Sequence, residues 1–292
     1  MPQTIAIVGM PSCMGGNRYG CEQGPRALRH ALFPLLDKKS IPFEDYGNVT
    51  EPCVCGLKSS KAKCLAEIAS LHNQATKFFQ DNEIFKKSHF PILLGGDHSV
   101  NYPFIREAAR HKKIGLIWFD AHGDFNTPDI SPSGNIHGMV LAALAGHGLT
   151  HSFGDDKAII NEANICIVGT RDVDPDESEL LKKTNVHVFS MKEIKKRGLK
   201  AVLEDAIAAA GQGTKGIHLS FDMDVFDPTI APHVSTPVPG GLLKKDIKTI
   251  AHCFKNQNLT SLDAVEINPS KNMDENETAE LAARLLLALI EN

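Results

Sequence analysis

The stretch Gly115-Leu116-Ile117-Trp118-Phe119-Asp120-Ala121-His122-Gly123-Asp124 runs from uncharged, largely apolar residues straight into alternating acids and a histidine. A short apolar run without polar alternation is the mark of a strand covered on both faces, as in a parallel sheet. Two other stretches repeat the junction: Leu93-Leu94 leads into Gly95-Gly96-Asp97-His98-Ser99, and Ser220-Phe221 into Asp222-Met223-Asp224. Further apolar runs lie at 4–9, 91–94, 164–168, 186–189, 216–221 and 262–267, with a weaker one at 41–46. Helical periodicity fills 24–36, 62–79, 178–183, 199–210, 244–256 and 276–290. This alternation predicts an α/β fold, a three-layer sandwich with a central, mostly parallel sheet of about eight strands flanked by helices. No repeat, low-complexity tract or Pro/Ser-rich linker divides residues 1–292, so one domain is expected.

The bulk composition narrows the function. The 31 basic and 35 acidic residues nearly cancel, to a formal net charge of -4, which leaves no electrostatic footprint for nucleic acid or an anionic membrane. The expected partner is a small molecule. A secretory leader and long uncharged apolar stretches are both missing, so a cytoplasmic protein is expected. Seven scattered cysteines suit reduced thiols better than a disulfide framework. Cys53, Cys55 and Cys64 cluster in a loop-like stretch, but their spacing fits no standard zinc pattern, and reduced loop thiols are the expectation.

The chemistry gathers at strand C-termini, the edge of a parallel sheet where loops converge on one crevice. In extended backbone, residues i, i+2 and i+4 share a side, so Asp120, His122 and Asp124 face one way, as do Asp222 and Asp224. Four aspartates at the end of a buried sheet repel and resist ionisation unless cations neutralise them. With His98 and His122 the set holds four carboxylates and two imidazoles, too many for one catalytic ion. It suits two ions sharing carboxylates, about 3.5–4 Å apart in known hydrolytic pairs. Oxygen-rich ligation without thiolate favours manganese before zinc.

In order along the chain, Gly-Gly-Asp-His, Asp-Ala-His-x-Asp and Asp-x-Asp resemble the manganese-dependent ureohydrolase family, hydrolases of guanidino groups. The resemblance is closest to its arginases, and it runs from Ile5 to the final helical stretch. It is carried by Gly20-Cys21-Glu22-Gln23-Gly24-Pro25, Asp124-Phe125-Asn126-Thr127, Ser131-Pro132-Ser133-Gly134-Asn135-Ile136-His137-Gly138, Arg171-Asp172-Val173-Asp174-Pro175 and Val265-Glu266-Ile267-Asn268-Pro269. It implies an arginase-like fold binding two Mn2+ per subunit and cleaving L-arginine to L-ornithine and urea by attack of a metal-bridging hydroxide. In that frame Asp120 and Asp222 bridge, His98 and Asp124 complete one site, and His122 and Asp224 complete the other. Asp124 would also carry a proton toward the leaving amine, His137 would shuttle protons, and Glu266 would receive the guanidinium.

Substrate selection would rest on Asn126 and Ser133 for the α-carboxylate, Asp174 and Glu177 for the α-amino group, and Thr236 on the pocket wall. Asp172, Asp174 and Glu177 have an alternative use, capping the helix after Pro175. Departures from the arginase pattern fall downstream of Asp224, where Val225, His233 and Ser235 replace residues that are commonly glycine. They drift toward agmatinase and formiminoglutamase versions of the segment, which stand as alternative activities. His233 is expected to be a solvated loop residue. The resemblance further implies a homotrimer or homohexamer of the shorter bacterial type.

Overall fold

The structure is a computed structural model that describes residues 4–55, 60–86, 88–269 and 276–291. A single parallel sheet organises it, built of β1 (Thr4–Met10), β2 (Phe43–Asn48), β3 (His89–Gly95), β4 (Gly115–Phe119), β5 (Ile165–Thr170), β6 (His187–Ser190), β7 (Ile217–Asp222) and β8 (Leu259–Val265). The strand order is β2-β1-β3-β8-β7-β4-β5-β6. All eight apolar runs named from sequence are strands, the weaker one at 41–46 among them as edge strand β2. That strand is weak because its residues are exposed or half-buried, with no inward-facing apolar series to announce it.

The connections are α1 (Gly24–Lys38), α2 (Leu65–Asp81), α3 (Asn101–His111), α4 (Val140–Leu144), α5 (Pro175–Leu181), α6 (Met191–Arg197), α7 (Leu199–Gly211), α8 (Asp246–Phe254) and α9 (Glu277–Ile290). Side-chain alternation sorts the strands into two cores. Ile7, Leu94, Phe119, Leu219 and Phe221 pack with α1, α7, α8 and α9, whereas Val8, Leu93, Trp118 and Ile167 pack with α2, α3 and α4. The sheet is therefore the middle of three layers, as expected.

Three helices, α3, α4 and α6, escape the sequence pattern, α4 being only 5 residues long and wholly buried. Every residue from Asn101 to Ala108 is buried, so α3 shows no polar face and hence no amphipathic stripe. Helix α6 has only 7 residues, too few for a period to stand out. The expectation of reduced thiols is corrected at one pair: Cys55 and Cys64 form a disulfide, while Cys13, Cys21, Cys53, Cys166 and Cys253 are free. The pair lies nine positions apart in sequence, a spacing that does not by itself announce a bridge.

Candidate metal centre and substrate cavity

Four neighbouring strands at the middle of the sheet, β3, β8, β7 and β4, deliver the site at their C-terminal ends. After β3, Gly96 presses against the backbone of Ser12 where a Cβ would collide, which lets the chain turn tightly. Asp97 then fixes the turn, accepting from Ser99 N at 2.9 Å and from Gly15 N at 3.0 Å, and His98 is left fully buried. After β4, Asp120 accepts from His122 N at 2.7 Å, and Ala121 N donates across to Asp224 Oδ1 at 3.1 Å, tying the ends of β4 and β7. Asp222 accepts from Asp224 N at 2.8 Å. Asp124 and Glu266 both sit in the left-handed backbone region, with φ of 48° and 61°. That conformation costs a residue other than glycine about 1 kcal/mol or more.

The expected ligands converge. His98, Asp120 and Asp222 form one group able to hold an ion, and Asp120, His122 and Asp224 form a second, with the ligand atoms of each group within 4.8 Å of one another. Asp120 is common to both, whereas Asp222 stands with the first group alone. Asp124 joins the first from the side, its Oδ2 at 3.0 Å from His98 Nδ1. Asp120 Oδ2 and Asp222 Oδ2 lie 3.2 and 3.4 Å from the same nitrogen. Nevertheless that buried Nδ1 makes no hydrogen bond.

The far side of the His98 ring explains which nitrogen is free. Ser220 Oγ accepts from Asn101 Nδ2 at 2.9 Å and donates to Asp263 Oδ1 at 2.9 Å, so it has one lone pair left for His98 Nε2, also at 2.9 Å. Asp263 further accepts from Phe221 N at 3.2 Å and pairs with His218 Nε2 at 2.7 Å, while His218 Nδ1 meets Ser261 Oγ at 2.7 Å. This buried chain keeps the His98 proton on Nε2 and turns a bare Nδ1 toward three carboxylates. A lone pair among oxyanions is repulsive, so the pocket calls for a cation there. Without an ion a proton takes that place: burial alone would depress His98, but the nearby Asp120, Asp124 and Asp222 carboxylates hold it well above its ordinary value. Burial beside Asp224 and Asp120 likewise pushes Asp222 well up, and burial next to Asp120 raises Asp124 to about 6. The donor set, carboxylate oxygens with imidazole nitrogens, fits hard-to-borderline divalent ions.

Above these groups lies a cavity of about 180 Å³ lined by His122, Asp124, Asn126, Ser133, His137, Asp174, Glu177, Asp222 and Thr236, all expected from sequence. Glu266 is beneath it and buried, accepting from His98 N at 2.9 Å and pairing with His137 Nδ1 at 2.8 Å. Burial would lower the His137 pKa, but Glu266 and Asp124 bring it up to about 9. Thr236 donates to Asp224 Oδ2 at 3.0 Å. Asn126 Nδ2 donates to Asp174 Oδ2 at 3.0 Å, and Asp174 is also the N-cap of α5, so lining and capping coincide in one residue. Glu177 has both oxygens engaged, by Phe125 N at 2.7 Å and Asp174 N at 3.2 Å; burial raises it to about 7. It braces the wall from behind.

Asn135 and Asp172 also line the cavity, and neither was assigned a binding role from sequence. The buried chain below His98 was missed as well, although it left a trace: His218 and Ser220, then Ser261 and Asp263, put polar groups at alternate positions of otherwise apolar strands. The parallel register sets His218 beside Ser261 and Ser220 beside Asp263. His233 takes part through its backbone, its N–H donating to Thr278 Oγ1 at 3.0 Å, and it does not line the cavity.

Comparison with known proteins gives a consistent result. The sequence model of the Arginase family matches residues 3–291. An arginase from Brevibacillus brevis is 39% identical over 98% of this chain and 97% of its own length, and one from Bacillus caldovelox is 34% identical with the same coverage. The crystal structure of the Bacillus caldovelox arginase superposes with a TM-score of 0.89 at 32% identity, covering 99% of both chains. A formimidoylglutamase from Bacillus subtilis, at 22% identity and a TM-score of 0.80 over 99% of this chain and 86% of its own, shares the fold.

Proposed function

Because the chain belongs to the arginase family, we propose that it is a manganese-dependent arginase, holding two ions and cleaving L-arginine to L-ornithine and urea. The observation that carries this reading is the pair of His/Asp groups joined through Asp120 at the floor of a cavity. His98, Asp120, Asp124 and Asp222 would hold one ion, and Asp120, His122 and Asp224 the other. Bound there, such ions lower the pKa of water enough to supply hydroxide near neutral pH.

The protein's own residues do the rest. The acids that line the cavity draw in the guanidinium and the α-ammonium, with Asp174 positioned for the ammonium by its bond to Asn126. Asn126 and Ser133 offer polar groups to the α-carboxylate. Asp124, beside His98 and on the cavity lining, suits a group that passes a proton toward the departing amine. His137 lies at the cavity edge with its proton stabilised by Glu266, so it serves as the proton reservoir. Thr236 fixes the orientation of Asp224.

The test is urea release from L-arginine and agmatine, and formamide release from formiminoglutamate, by metal-stripped protein reconstituted with manganese. Arginine should be preferred. No urea from arginine, or a preference for either rival, overturns the assignment.

A further inference from the structure

The loop ahead of α2 reaches the cavity wall through a cation. Lys63 donates from Nζ to Asn135 Oδ1 at 2.9 Å, and its backbone N–H donates to Gly134 O at 2.9 Å. Gly134 is in the left-handed region at φ 71°, and a Cβ there would collide with the Ser60 carbonyl, so only glycine lets these two loops meet. Lys63 is held from its other side too, since the adjacent Cys64 is bridged to Cys55. Lys61, on the same loop, has a carboxylate partner in Asp129 at 3.3 Å. Among the described residues, Lys63 has only the neutral amide.

An ammonium carries donors alone, so the Asn135 oxygen must face it and the two amide N–H donors must turn away. Asn135 lines the cavity, and its backbone is pinned by a bond from its N–H to Ser133 Oγ at 3.1 Å. The lining carries the carboxylates of Asp124, Asp172, Asp174, Glu177 and Asp222 and no lysine or arginine. The 131–135 wall contributes no carboxylate to the lining, so an entering carboxylate meets polar groups there, and Lys63 backs them. We propose that Lys63 is a specificity-determining and positioning residue for the substrate α-carboxylate, setting the Asn135 amide and lending its charge to that wall. The proposal rests on the arginine-hydrolase reading above and names a residue in it that the ligand motifs do not contain.

The experiment compares the manganese-loaded wild-type protein with Lys63→Met and Lys63→Arg. It measures kcat and KM on L-arginine and agmatine, and calorimetric binding of L-ornithine against putrescine. Losing one partly solvated charge-assisted contact should raise the arginine KM and weaken ornithine binding about tenfold in Lys63→Met, with kcat within about twofold. Agmatine and putrescine, which lack the carboxylate, should be unaffected, and Lys63→Arg should recover most of the loss. Equal losses with and without the carboxylate, or no loss at all, overturn the proposal. Wild-type protein that releases no urea from arginine overturns the functional reading instead, and the ornithine–putrescine comparison still judges Lys63. Unchanged thermal midpoints guard against misfolding. Should Lys63→Met fail to fold, Lys63→Gln takes its place, with the same outcomes expected and the same outcomes fatal.

Discussion

A single proton on His137 links the chemistry of the site to its stability. The imidazole is brought up to about 9 from an ordinary 6.5, so its pairing with Glu266 supports the fold fully below pH 6.5 and is lost as pH rises through about 9. Glu177, raised by burial to about 7 from 4.5, adds a second component, present below 4.5 and lost through 7. The thermal midpoint of metal-free protein should therefore fall as pH is raised from about 6.5 to 9. In His137→Ala the part between 7 and 9 should vanish, and kcat should drop by about 10²- to 10⁴-fold if the residue moves protons. Calorimetry across that range checks the first statement, and a pH slope unchanged in the variant would refute it. His137 and Glu266 were both legible in the sequence, each through a motif, but their mutual contact was not. They are 129 positions apart, and only the turn after β8 brings them together.

At the scale of elements, the four central strands do more than end at the site. On the α2/α3 face, β7 and β8 carry His218, Ser220, Ser261 and Asp263 in register, a polar line through an apolar layer that terminates on His98. Ser220→Ala removes the acceptor for the His98 Nε2 proton, freeing the ring to rotate or change tautomer. Outer-shell losses of this kind weaken metal binding by about 10- to 100-fold. Manganese titration followed by electron paramagnetic resonance should show one of the two ions weakened and the other retained. Two unaltered affinities would remove the chain from metal binding. The strands themselves could be read because burial on both faces leaves continuous apolar runs, and the β4 run at 115–119 coincides with the strand observed. Helix α3 could not be read for the mirror-image reason, since a helix buried all round has lost the periodic signal. The disulfide was illegible too, because pairing is decided by loop path and not by spacing.

For the molecule as a whole, the ligands come from three separate crossings of the sheet, so bound ions would pin β3, β4 and β7 together. Binding confined to the folded state stabilises by about 4 kcal/mol when free metal is a thousandfold above its dissociation constant. For a chain of this size that corresponds to a rise in thermal midpoint of roughly 10 °C. Stripping with a chelator should reverse it, and Asp120→Asn, at the position common to both groups, should abolish most of it. A midpoint indifferent to manganese would count against ions at this centre.

Two acids of the site, Asp124 and Glu266, are held in left-handed backbone, a conformation that glycine adopts freely. The molecule thus sits off its own stability optimum at the two positions its chemistry most requires. Relatives drifting without selection for turnover should lose these carboxylates early and gain heat resistance as they do, so an acid retained at both positions in a natural variant is a record of selection for catalysis.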